Sequence, residues 1–171
     1  MLVLLIGINA VSNYLLGNSV IPSIGLARAQ TISQTQNQST PNVANVNEVK
    51  SFVYSWFALL DRQVSEISLL KFLDQDNLTM KFPSMMVNNH EDFSQWYLKL
   101  QQDIKTNIYD IQQLSVIPTG AGEFEVQLKV NWQAKTLEGA DITQTYKQRW
   151  KIVSDDRNRL LIQDYLVKEA K

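Results

Sequence analysis

From Glu123 to Ala134 the sequence EFEVQLKVNWQA alternates strictly. Phe124, Val126, Leu128, Val130, Trp132 and Ala134 fall on one side, and Glu123, Glu125, Gln127, Lys129, Asn131 and Gln133 on the other. Successive side chains of a strand point to opposite faces, so this pattern predicts a long strand with one buried face and one solvated face. A strand of that length needs a broad cover for its apolar side. Further strands are predicted at 107–118, 141–153 and 159–167. The links between them, around Thr119-Gly120-Ala121-Gly122, Glu138-Gly139 and Ser154-Asp155-Asp156-Arg157-Asn158, are short and rich in turn formers. Short links between neighbouring strands imply an antiparallel meander.

The cover comes from upstream. Asn45 followed by Glu48 has the capping-box pattern and predicts a helix start. Val49, Phe52, Val53, Trp56, Phe57 and Leu60 then recur at three- and four-residue steps and form a wide apolar stripe. A short second helix is predicted after Asp61 and Arg62, with Ser65 as its cap and Leu69, Leu70, Phe72 and Leu73 buried. The stretch LTMKFP reads as a short strand stopped by Pro83. Asn89 and Asp92 start a third helix that points Phe93, Trp96, Tyr97, Leu100 and Ile104 one way. Helices first and strands after is the α+β order, with three N-terminal helices packed on a curved antiparallel meander sheet.

A chain of 171 residues suits one such domain plus an appendage. Residues 1–29 are apolar, contain no acid and end in Ala27-Arg28-Ala29, the small-x-small pattern of an export signal cleaved before Gln30. Asn9, Asn13, Asn18 and Pro22 interrupt the apolar run, which argues against a spanning helix. Two features temper that reading: the stretch lacks a Lys or Arg near its start, and an uncleaved tether is the alternative to export. Residues 30–45 are nearly free of charge and large apolar groups and predict a flexible polar linker. The folded domain is then 46–171, exported to a periplasmic, extracellular or lumenal space and without an integral membrane segment.

The net charge is −1, and about −2 once residues 1–29 are removed, so no basic field for nucleic acid is expected. Cysteine is absent, which excludes disulfides, thiolate metal sites and a cysteine nucleophile. No phosphate loop, metal-ligand spacing or nucleophile elbow is present, so no cofactor and no metal are expected.

The order helix, helix, short strand, helix and four long strands resembles the NTF2-like or SnoaL-like superfamily across 46–167. The local marks are Phe72-x-Asp74 after the second helix, Pro83, Trp96-Tyr97, Val130-Asn131-Trp132 and Trp150-Lys151-Ile152. The resemblance implies a cystatin-like cone with one open mouth. Its pocket binds a small apolar molecule, does acid–base chemistry, or is filled by side chains, and homodimers through the sheet are common. Ketosteroid-isomerase-like members carry the general base directly before the proline that ends the short strand. Here Phe82 takes that place, and it cannot accept a proton.

Three residues remain as catalytic candidates. Tyr54 on the first helix could act as a hydroxyl donor, although an aromatic on a striped helix is more often packing. His90 begins the third helix, where an imidazole is usually a solvated first-turn residue. In LLIQDYLV either Leu160, Ile162, Asp164 and Leu166 share the inner face, or Leu161, Gln163, Tyr165 and Val167 do. An inward Asp164 would be a buried carboxylate suited to acid–base work, and an outward one would be solvated. Candidate ligand-pocket residues are Trp56, Phe82, Trp96, Tyr97, Trp132, Tyr146, Gln148 and Trp150. Lys147, Arg149 and Lys151 alternate outward from that set, and cross-strand pairing with Glu123 and Glu125 is the expected fate of their charge.

The leading expectation is an exported cone with a pocket for a small apolar ligand. Its rivals are a SnoaL-type cyclase, isomerase or hydrolase-like enzyme using Asp164, and a solid cone that serves as a protein-interaction module.

Overall fold

The computed structural model describes residues 44–170, so the expected export signal at 1–29 and nearly all of the linker at 30–45 lie outside them. Helix α1 runs Val46–Asp61 and starts as its sequence dictates. The Asn45 side chain accepts from the backbone N–H of Asn47 and Glu48, and Glu48 Oε2 accepts the Asn45 N–H at 2.8 Å. This reciprocal box satisfies amides that have no partner within the helix. The apolar stripe of α1 buries Val49, Val53, Trp56, Phe57 and Leu60.

Helix α2 is the single turn Glu66–Leu70; Ser65 stands at its N-cap but makes no side-chain capping bond there. Strand β1, Thr79–Lys81, turns back through Pro83 to β2, Met86–Val87, a two-residue strand too short to show as periodicity. Helix α3, His90–Asp103, is capped by Asn89 accepting from Asp92 N–H at 2.8 Å. Its apolar series ends one residue early, because Ile104 already opens strand β3, Ile104–Gly120. The long strands β4, Glu123–Thr136, β5, Asp141–Ser154, and β6, Leu160–Glu169, complete the chain. At the β3–β4 turn Gly122 adopts φ 72°, and a Cβ there would meet Ser154 Cβ at 3.0 Å, so this turn requires glycine.

The sheet has six strands in the order β2-β1-β6-β5-β4-β3. The predicted meander of long strands is present, but β1 lies parallel to β6, so the sheet is mixed. The apolar face of β4 buries Phe124, Val126, Leu128, Val130 and Ala134. All of these except Ala134 join one core cluster with Val49, Val53 and Trp56 of α1 and with Phe93 and Tyr97 of α3. The helices are thus the cover that the alternating strand demanded.

Neither expected register of β6 holds along its whole length. Ile152 pairs with Ile162 while Lys151 pairs with Asp164, leaving Gln163 as an extra residue, a β-bulge. The bulge lets Ile162 face inward and then returns Tyr165 and Val167 to the same side, with Asp164 exposed. It is held by the segment after α2: Ile162 exchanges backbone bonds with Phe72 O and Asp74 N–H, and the Gln163 amide donates to Asp74 Oδ2 at 3.1 Å. Burial alone would raise the Asp74 pKa, but hydrogen bonds from Asp76, Gln163 and Asn77 outweigh it and lower the value.

Candidate functional site

The interior of the cone divides into a packed end and an open end. At the packed end Trp56 is 0% and Trp150 1% exposed, with ring centroids 6.5 Å apart in an edge-on arrangement. Phe93 and Tyr97 stack at 5.9 Å beside them. The Tyr97 hydroxyl donates to Val64 O at 2.8 Å, tying α3 to the loop that follows α1. Burial, with the Glu66 charge adding to it, pushes the Tyr97 hydroxyl up to about 12. Trp56, Tyr97 and Trp150, expected at the pocket, are core side chains instead.

Toward the mouth lies a cavity of about 400 Å³. Phe82, Trp96, Trp132, Tyr146 and Gln148 of the expected set do line it. Phe82 and Trp96 stack at 4.7 Å, placing the residue that stands where a base would be expected firmly in an aromatic wall. Tyr109 and Trp132 stack at 6.3 Å on the facing side. Both are fixed by the end of α1. Asp61 Oδ1 accepts the Tyr109 backbone N–H at 2.8 Å, and the Trp132 indole N–H donates to Asn107 Oδ1 at 3.3 Å. Asn107, itself buried, donates to Leu60 O at 2.9 Å, joining the Gln63 backbone N–H on that carbonyl at the helix end. Burial raises the Asp61 pKa against the lowering effect of the Tyr109 amide.

The floor is polar but neutral. Gln148 is buried and accepts from the Trp150 indole at 3.0 Å. Tyr165 stacks on Trp150 at 4.6 Å, and burial pushes its hydroxyl far up despite the nearby Trp56 and Gln148 side chains. Trp56 Nε1 is buried without a well-formed hydrogen bond, although it lies close enough to the Tyr165 hydroxyl to favour the ionised form there. Burial likewise raises Tyr109, with the Tyr165, Asp61 and Tyr146 charges adding to it, and raises Tyr146 together with Glu169. These hydroxyls stay protonated near neutrality and can donate or accept hydrogen bonds, but they do not act as bases.

None of the three catalytic candidates reaches this cavity. Asp164 stands on the outer face of the sheet, paired across β5 with Lys151 and across β1 with Thr79. His90 Nε2 lies 3.3 Å from Leu73 O at the start of α3. Tyr54 is 54% exposed on the solvent side of α1. The structure adds Tyr109, Tyr165 and Glu169 to the lining, none of them among the expected residues. Among the described residues no group of His, Asp and Glu side chains could hold a metal ion, and no helix is long and apolar enough to cross a membrane.

No protein-family model and no curated protein matches the chain. Solved structures do. An NTF2-like superfamily protein from Salmonella enterica aligns with a TM-score of 0.66 at 11% identity, over 73% of this chain and 91% of that one. The chain has the NTF2-like cone fold. A ketosteroid isomerase-like protein from Erwinia carotovora gives a TM-score of 0.62 at 11% identity, over 72% and 94%. A protein with a cystatin-like fold from Caulobacter vibrioides gives 0.63 at 6%, over 73% and 89%. At these identities the likeness concerns the NTF2-like fold alone, and the side chains at the mouth of the cone must speak for function.

Proposed function

We propose that this NTF2-like domain binds a small, largely apolar, ring-containing molecule in the mouth of its cone, as a binding protein rather than a catalyst. The observation that carries the reading is the aromatic wall of Phe82, Trp96, Tyr109, Trp132 and Tyr146 around a cavity of about 400 Å³. Ligand pockets are typically about 300–1,000 Å³, apolar, with a few polar groups that orient the guest. Here Gln148 and the Tyr165 hydroxyl supply that polar end, and a carbonyl or hydroxyl on the guest would meet them. Stacking on flat rings favours a planar ligand. Asp164, His90 and Tyr54 all lie away from the cavity, which removes the basis on which an acid–base enzyme was expected. The stretch ending in Ala27-Arg28-Ala29 supports action outside the cytoplasm.

Native mass spectrometry of the full chain should show a co-purifying small-molecule adduct that is released on denaturation and depleted in Trp132→Ala. A bare protein mass, together with no rise in unfolding temperature for any neutral aromatic compound, would contradict the reading. Asp164→Asn should leave both ligand binding and stability unchanged, within about 0.5 kcal/mol for an exposed site. One pocket carboxylate, Glu169, defines the competing acid–base reading. Turnover of a bound ligand that disappears in Glu169→Gln would establish it.

A further inference from the structure

The outer face of the sheet carries its own charge pattern. Lys129, Lys147 and Lys168 stand directly opposite one another across β4, β5 and β6. In the next row Arg149 stands beside Leu166, which is followed by Lys81 of β1. Neighbouring strands are only about 4.8 Å apart, and like charges facing each other across them are destabilising. One row further on the same sheet is balanced, because Lys151 stands between Glu125 and Asp164 and also pairs with Glu123 at 3.6 Å. The expected cross-strand pairing therefore holds for Lys151 alone. Lys81, Lys129, Lys147, Arg149 and Lys168 have no ion pair among the described residues. Lys129, Lys147, Arg149 and Lys168 border a shallow trough of about 560 Å³, which also includes Leu166 and the polar Gln113, Ser115 and Gln127.

We infer that this trough is a docking surface for an acidic segment of another protein, with carboxylates set on the lysine row and an apolar side chain seated at Leu166. Charge complementarity selects the sign of the partner. The mixed character of the face selects its class. One row beyond the trough, Glu125 and Asp164 would repel a uniformly charged polyanion such as a sulfated glycan that ran on along the sheet, and Leu166 in the trough offers it nothing. The chain's own N-terminal residues do not fit, since no acid occurs before Glu48. A second copy docked with its two-fold axis through the lysine row would set lysines against lysines.

Fluorescence anisotropy of a rhodamine-labelled peptide, Glu-Leu-Glu-Glu-Leu-Glu, titrated with the full chain tests the proposal. Binding should weaken by about tenfold from low to high salt, and by about tenfold in Lys147→Glu at low salt, with Lys147→Glu unfolding at or above the temperature of the parent. Lys151→Gln, in the balanced row, should bind the peptide as the parent does. Equal binding by Lys147→Glu, or no preference over the same peptide with Gln for Glu, would overturn the proposal. So would a heparin fragment, or a peptide with Ser for Leu, binding as tightly, because charge alone would then be the attraction.

Discussion

Trp150 and Trp132 show how the same residue type serves two ends of one cone. Trp150 touches Trp56, Phe57 and Tyr165 and is fully enclosed, whereas Trp132 is half-buried at the mouth. Trp150→Ala should lose about 3–5 kcal/mol in urea denaturation, as large-to-small changes in a tight core do. Trp132→Ala should lose clearly less stability than that and more ligand affinity. The difference could not be read from the sequence, since both residues alternate inward on amphipathic strands. What separates them is depth along the cone, a property of the folded sheet. Tyr165 was hidden for another reason: both faces of LLIQDYLV are apolar enough to be inner, and an inserted residue decides between them. Asn107 left no local trace, because its partners Leu60 and Trp132 are remote in sequence.

Elements whose origin is local were legible. The capping box of α1, the proline that follows β1, and the glycine-bearing turns of the meander all act within a few residues, and all stand where the sequence places them. Asn45→Ala should cost about 1 kcal/mol, measured by thermal or urea unfolding, because two N-terminal amides lose their acceptor. What local pattern could not supply is pairing between distant segments. The parallel contact of β1 with β6, and the bulge at Gln163 that Asp74 holds in place, depend on segments far apart in sequence that only the folded sheet brings together. That bulge is also why Asp164 is solvated and why the enzyme reading loses its best base.

For the molecule as a whole, the cone concentrates tyrosines where water is scarce, which gives a pH signature. Tyr97, Tyr109, Tyr146 and Tyr165 all have folded-state values raised above the ordinary 10.0. A raised folded value means the unfolded chain releases its protons first. The stability these groups contribute is therefore complete below pH 10 and lost as pH rises through the folded values, beginning with the span from 10.0 to about 12 for Tyr97. Urea denaturation repeated across that range should show a steep loss that Tyr97→Phe reduces. The central claim, an open aromatic mouth above a solid core, is tested most directly by the indole N–H signals of the four tryptophans. In ¹H–¹⁵N spectra recorded with a neutral planar ligand such as 2-naphthol, the largest shifts are expected at Trp96 and Trp132, with Trp56 and Trp150 little moved. No shift at Trp96 and Trp132, or shifts as large at Trp56 and Trp150, would contradict it.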